Sequence, residues 1–175
     1  MILETLSLLC LLAGLLLLIY LSIIDLKTFL LPNKYVAPFA IFGVLFHFLT
    51  DFHFLNVTEI IIGGMCGFGL LWSIRFMGNK YYGQDSLGLG DVKLLGAAGL
   101  WLGLEGVLFA MTLGAFAGLL HGLAYAAYRT ITKKQPFSIT KMVIPAGPGF
   151  AIGIILVGGW MYKSHVLSIF YDWFA

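Results

Sequence analysis

From Thr5 to Ile24 the chain runs through twenty residues without a charged side chain. At about 1.5 Å of rise per residue, such a helix is long enough to cross a hydrocarbon layer roughly 30 Å thick. Similar runs recur through the sequence, so that 61% of the 175 residues are hydrophobic and only 10% are charged. Soluble domains sit near 45–50% apolar and ~25% charged. These proportions exclude a soluble globular domain, a disordered chain and a collagen-like chain. Hydrocarbon offers the backbone no hydrogen-bond partner, so each span must satisfy its own N–H and C=O groups as a helix. At ~20 residues per crossing plus loops, there is room for about six spans and for no separate soluble domain. The expected fold is therefore all-α, a polytopic membrane protein with about six transmembrane helices in one membrane-embedded domain over residues 1–175.

The spans are placed by their breaks. The first covers 5–24 and stops at Asp25-Leu26-Lys27, and Leu31-Pro32-Asn33-Lys34 makes a turn. The second covers 35–49 and is short, with Pro38 and His47 inside it. The third covers 60–76, with Arg75 at its end, and a polar, glycine-rich segment follows from Gly78 to Gly90. The apolar stretch from Val92 to Tyr128 is too long for one helix. Gly103-Leu104-Glu105-Gly106 supplies a break, giving a fourth span over 91–102 and a fifth over 105–128. The sixth covers 143–162 and is entered through Pro145-Ala146-Gly147-Pro148-Gly149. A tail with Phe170, Tyr171, Trp173 and Phe174 reads as an aromatic belt at the interface.

With these spans, Lys27, Lys34, Arg75, Lys80, Lys93, Arg129, Lys133, Lys134 and Lys141 fall on one side, and only Lys163 on the other. That asymmetry marks the cytoplasmic side and predicts both termini outside the cytoplasm, in a multi-pass protein of the inner membrane. The N-terminus has no basic region and its apolar run is too long for a secretory signal, so the first span is expected to be retained. Cys10 and Cys66 lie in apolar runs without a Cys-x-x-Cys pair and read as small core residues. His47, His53, His121 and His165 lack metal-ligand spacing, so no metal site is expected.

Carboxylates near hydrocarbon are costly, and two stand out. Asp25 ends the first span. Asp91 opens the fourth, within Gly88-Leu89-Gly90-Asp91-Val92-Lys93-Leu94. The topology puts both at the cytoplasmic ends of their helices, where they meet if spans one and four pack together. Two carboxylates in close approach hold one proton between them near neutral pH. The ionised member then takes a proton from water attacking a peptide carbonyl, while the protonated member polarises that carbonyl and later protonates the leaving amine. Gly88 and Gly90 fit such a site by permitting positive φ and close backbone approach. Each residue has a plainer reading when taken singly. Asp91 is a favoured helix N-cap type, and Asp25 can be a boundary residue in water, paired with Lys27.

Taken together these strings resemble the type IV prepilin peptidases, intramembrane aspartyl proteases of the Gly-x-Gly-Asp class. The resemblance runs from Asp25 to about Gly153. It is carried by Gly88–Leu95 with Gly99-Leu100-Trp101-Leu102-Gly103, by Asp25 with Leu31-Pro32-Asn33, and by Ile144–Gly149. It implies a single peptidase domain with Asp25 and Asp91 as the catalytic pair. The implied substrates are prepilins or pseudopilins, whose short basic leader ends in glycine before a hydrophobic helix and is cleaved at the cytoplasmic face. Longer family members carry an N-terminal segment with paired Cys-x-x-Cys motifs and also methylate the new N-terminus. This sequence looks like the short form, similar to enzymes of Flp-type pilus systems or archaeal preflagellin peptidases, and peptidase activity without methyltransferase activity is expected. The expected partners are the substrate and the lipid bilayer, with no nucleic acid, no cofactor and no metal; the oligomeric state stays open.

Other residues have open roles. Lys93 either tunes the pair or is a snorkelling anchor, since i and i+2 face different sides of a helix. Arg75 reads as an interface anchor, Gln84 and Asp85 as candidates for gating substrate entry, and Gly114, Gly118 and Gly122 as a helix-packing face. The rival functions are a transporter or channel subunit using the two carboxylates as a proton or cation relay, and a non-catalytic scaffold of a pilus or secretion machine.

Overall fold

The computed structural model describes residues 2–83, 85, 87–133 and 145–174. Gln84, Lys134, Lys141 and the residues expected to open the sixth span, 143–144, lie outside them. Five helices follow in order: α1 (Ile2–Thr28), α2 (Asn33–Leu49), α3 (Val57–Tyr82), α4 (Leu89–Lys133) and α5 (Gly147–Phe174). No strand occurs among the described residues.

The helix ends have local causes. α1 stops where Phe29 takes φ 54°, with its N–H bonded back to the Asp25 carbonyl at 2.9 Å. Pro32 then caps α2, in extended conformation, its carbonyl accepting from the N–H groups of Tyr35 and Val36. α3 starts on a reciprocal cap: Asn56 Oδ1 accepts from Glu59 N–H at 2.9 Å, and Glu59 Oε2 accepts from Asn56 N–H at 2.8 Å. α3 also runs six residues past the expected end at Phe76. The polar string Gly78–Tyr82 was expected to be loop, but a polar composition does not itself break a helix. The break comes at Gly83, whose φ of 66° and N–H bond to the Asn79 carbonyl make a left-handed cap. Likewise α5 carries on to Phe174, so the aromatic tail is helix, with Phe170, Tyr171 and Trp173 exposed along it.

The expected break at Gly103 is present. Gly103 takes φ 68°, ψ −171° inside α4, a conformation open to glycine and strained for other residues. The chain reverses there. Glycines show how closely the two legs pack on their neighbours. A Cβ on Gly99 would strike the Gly63 carbonyl, and one on Gly67 would strike Leu95 O and come within 2.9 Å of Val107. The first leg, 89–102, therefore runs antiparallel to α3. On the second leg, a Cβ on Gly153 would strike Ala110 O, and one on Gly149 would stand 3.1 Å from Gly118 N. Residues 110–118 thus run antiparallel to α5, with Gly114 and Gly118 in the packing face expected of them. The described residues hold six helical segments. Four helices (α1, α3, α4 and α5) are long and apolar enough to cross a membrane. α2, with 17 residues, and the first leg of α4 are shorter than a full ~20-residue crossing.

Trp101 ties the centre together. Its Nε1–H donates to Phe39 O at 2.8 Å, and its ring stacks on Phe39 and Phe46 at centroid distances of 5.5 and 5.8 Å. A Cβ on Gly14 of α1 or Gly43 of α2 would approach ring atoms of the indole to 2.8 or 2.7 Å. Two missing side chains thus make the notch that holds the indole. Beside the bend at Gly103 the Trp101 carbonyl accepts from His47 Nε2 at 3.0 Å and from the Tyr162 hydroxyl. Cys10 is buried in this core, whereas Cys66 is only half-buried, because α3 turns it partly away from its neighbours.

Candidate active site

Asp25 sits in the last turn of α1 and Asp91 in the first turn of α4. Both ends face the same end of the bundle, together with the start of α2, the end of α3 and the start of α5. The basic residues Lys27, Lys34, Arg75, Lys80, Lys93 and Arg129 belong to this end as well, while Lys163 lies toward the other, its Nζ 5.9 Å from the Trp160 ring centroid.

Both carboxylates are buried, Asp25 at 4% and Asp91 at 7% exposure, and they lie within electrostatic reach of each other. Burial removes the plainer reading of Asp25 as a boundary residue in water. Asp91 is the third residue of α4, not its N-cap. The backbones of α1 and α4 do not pack against each other along their length; α2 and α5 stand beside both. The neighbours bring the two helix ends within electrostatic reach without spans one and four packing along their length.

Each acid faces a helix N-terminus. The Ala146 carbonyl accepts the first bond of α5, from Phe150 N–H at 3.1 Å, so Gly147 N–H is one of the unpaired donors of that helix. It donates to Asp25 Oδ2 at 2.9 Å. Asp91 lies in the first turn of its own helix, where the backbone dipole favours negative charge. Backbone dipoles thus face both acids, and neither has an ion-pair partner among the described residues. Asp91 Oδ1 has no hydrogen-bond partner among the described residues; a buried acceptor left open in this way is costly unless something else uses it.

Three glycines shape the site by the side chains they lack. A Cβ on Gly88 would stand 2.7 Å from Asp91 Oδ2, one on Gly147 2.7 Å from Asp25 Oδ2, and one on Gly90 2.7 Å from Leu31 Cβ. The expected reason for Gly88 and Gly90 is only half right. Neither has a positive φ; what they supply is room. Gly90 lets the α4 start lie against the chain between α1 and α2, and Gly88 leaves space for the acid. Lys93 donates to Asn33 Oδ1 at 3.0 Å, which joins α4 to α2.

Sequence reasoning passed over Gly147 as a site residue, although its Pro-Ala-Gly-Pro-Gly string was noted. It also read Arg75 as an interface anchor, whereas the structure bonds it to Asp85 and to the Leu87 carbonyl. Beside the site, a groove of about 620 Å³ opens between α2, α3 and the first leg of α4, running from Asn33 and Lys93 to Ile61 and Leu100. A second, apolar cavity of about 340 Å³ between α1 and α5, lined by Leu11, Leu15, Trp101, Ile155 and Tyr162, lies toward the opposite end. No cluster of three or more metal-ligating side chains occurs among the described residues.

Comparison with known proteins bears on this arrangement. The chain is 33% identical over 144 residues to a protein of Aeromonas hydrophila named prepilin leader peptidase/N-methyltransferase, covering 82% of this chain and 45% of that protein. Proteins of the same name from Dickeya chrysanthemi and Escherichia coli (strain K12) are 31% and 28% identical, over 81% of this chain and 49% and 58% of theirs. The chain thus spans about half the length of the curated relatives it matches. No solved structure matches it. The sequence profile of the type IV leader peptidase family matches residues 12–123, a stretch that contains both buried acids and the Gly-x-Gly before the second. On that match the chain belongs to the type IV leader peptidase family.

Proposed function

We propose that this chain is an intramembrane aspartyl endopeptidase that removes the leader of prepilin-like or pseudopilin substrates, with Asp25 and Asp91 as its catalytic pair. The observation that carries the reading is the juxtaposition of two buried carboxylates from separate helices at the basic end of the bundle. One acid is held by Gly147 N–H and the other keeps an oxygen open. The relay reading is less well served, because a relay wants its carboxylates nearer mid-span with water on both sides.

The chemistry follows from the pair. In this scheme the two carboxylates hold one proton between them. The ionised one accepts a proton from water as its oxygen attacks the scissile carbonyl. The protonated one donates to that carbonyl oxygen and then to the leaving amine. Hydrolysis needs no nucleophilic serine or cysteine and no metal in this scheme. The excess of Lys and Arg at this end supports a cytoplasmic placement for it. The substrate class comes from the names of the relatives.

Coexpression with candidate prepilins and pseudopilins tests the proposal. Wild type removes the leader, while Asp25→Asn and Asp91→Asn each insert and accumulate normally but leave it in place. Cleavage by either variant at the wild-type rate, or an intact leader with wild type across the candidates, overturns it.

A further inference from the structure

Two residues ahead of α4, Asp85 and Leu87, are held by side chains of α3. Arg75, whose side chain is 19% exposed, donates through Nη1 to the Leu87 carbonyl and through Nη2 to Asp85 Oδ1 at 2.6 Å. Asn79, one turn further along α3, donates through Nδ2 to the same Asp85 oxygen at 2.8 Å. Leu87 immediately precedes Gly88, the residue over which the Asp91 carboxylate lies.

Two physical facts make this grip matter. The first turn of a helix has no preceding helical carbonyls to anchor its N–H groups, so the place of Asp91 depends on the chain ahead of it. A guanidinium is a rigid planar fork that engages two acceptors at fixed separation, which a lysine ammonium on a flexible stem does not reproduce. We propose that Arg75 is a positioning residue for Asp91: bridging Asp85 and the Leu87 carbonyl, it fixes the start of α4 and so the placement of the acid. Asp85, whose side chain is 75% exposed, is the second half of the device. The inference rests on the reading of Asp91 as catalytic, and its test separates the two.

The full chain is purified in detergent and assayed with a prepilin-derived peptide that spans the cleavage site. The variants are Arg75→Lys, which keeps charge and fold, Asp85→Asn, the double variant, and Lys80→Ala as an exposed basic control on the same helix. Arg75→Lys is expected to lower kcat on the order of 10- to 100-fold with KM unchanged, the scale of a small misplacement of a reacting group. The double variant loses no more than the worse single one, because both act as one unit. Lys80→Ala is unchanged. Backbone amides of residues 87–91 exchange faster in Arg75→Lys than in wild type, while those of the second leg of α4 do not. A wild-type kcat in Arg75→Lys, or a loss confined to KM, overturns the positioning role. Should wild type cleave no substrate, the peptidase reading fails by itself. The exchange measurement still decides this proposal, and unchanged exchange at 87–91 in Arg75→Lys refutes it.

Discussion

Gly147→Ala is the most diagnostic single change in the site. The new methyl would stand 2.7 Å from Asp25 Oδ2, 3.1 Å from Cγ and 3.3 Å from Cβ, whereas ordinary contact begins at 3.4 Å. Asp25 is too short to swing clear, because even its Cβ is close. The carboxylate must retreat by about 0.7 Å or rotate, and either movement breaks its bond from Gly147 N–H, now 2.9 Å. A hydrogen bond to a charged group contributes about 1.5–3 kcal/mol, and about 1.4 kcal/mol corresponds to a factor of ten in rate. The expected loss in kcat is therefore roughly 10- to 100-fold. Gly159→Ala on the same helix is the control, since nothing lies within 4 Å of its Cβ position. In a helix interior that change favours folding by up to ~1 kcal/mol. The assay is leader cleavage in detergent, with thermal unfolding of each variant measured alongside. A folded Gly147→Ala protein that cleaves as fast as Gly159→Ala would refute the idea that this contact holds the acid in place.

Other changes follow from the same geometry. Gly90→Ala should lower both the unfolding temperature and the cleavage rate, because its methyl meets Leu31 Cβ at 2.7 Å and Leu31 N at 3.3 Å. Gly99→Ala drives a methyl onto the Gly63 carbonyl and should destabilise the α3–α4 contact by about 1–3 kcal/mol, whereas Gly69→Ala, with nothing in reach, should match Gly159→Ala and favour folding by up to ~1 kcal/mol in the same thermal unfolding assay. Cleavage should continue in excess EDTA, as the carboxylate scheme has no metal step; loss that is restored by a divalent ion would count against it.

The reading of the sequence succeeded where one residue type has one physical meaning. Charge asymmetry in the loops put Asp25 and Asp91 at one end, because lysine and arginine partition across membranes by sign. Glycines at 103 and 106 marked the reversal of α4, and Gly103 does carry it. The reading failed where meaning depends on a distant partner. Nothing local says that Gly147 faces Asp25, since the contact joins positions 122 residues apart. Arg75 near a helix end looks like any other interfacial arginine until Leu87 and Asp85 are seen around it. The string Gly78–Tyr82 misled because polar side chains at a water boundary are compatible with loop and helix alike, and only the left-handed Gly83 decides the end.

The reversal at Gly103 also has a consequence for the lipid. The 14 residues from 89 to 102 rise only about 21 Å, and the 17 of α2 about 25 Å, against hydrocarbon roughly 30 Å thick. These two short segments lie side by side, joined by Trp101 to Phe39 and by Lys93 to Asn33. The first leg of α4 has no exposed residue from 91 to 103, so protein and not lipid surrounds it, and its short length has no hydrocarbon thickness to match. A segment sheathed in that way carries a carboxylate at its start without presenting it to oil, and a hydrolase in a membrane has to import the water it consumes.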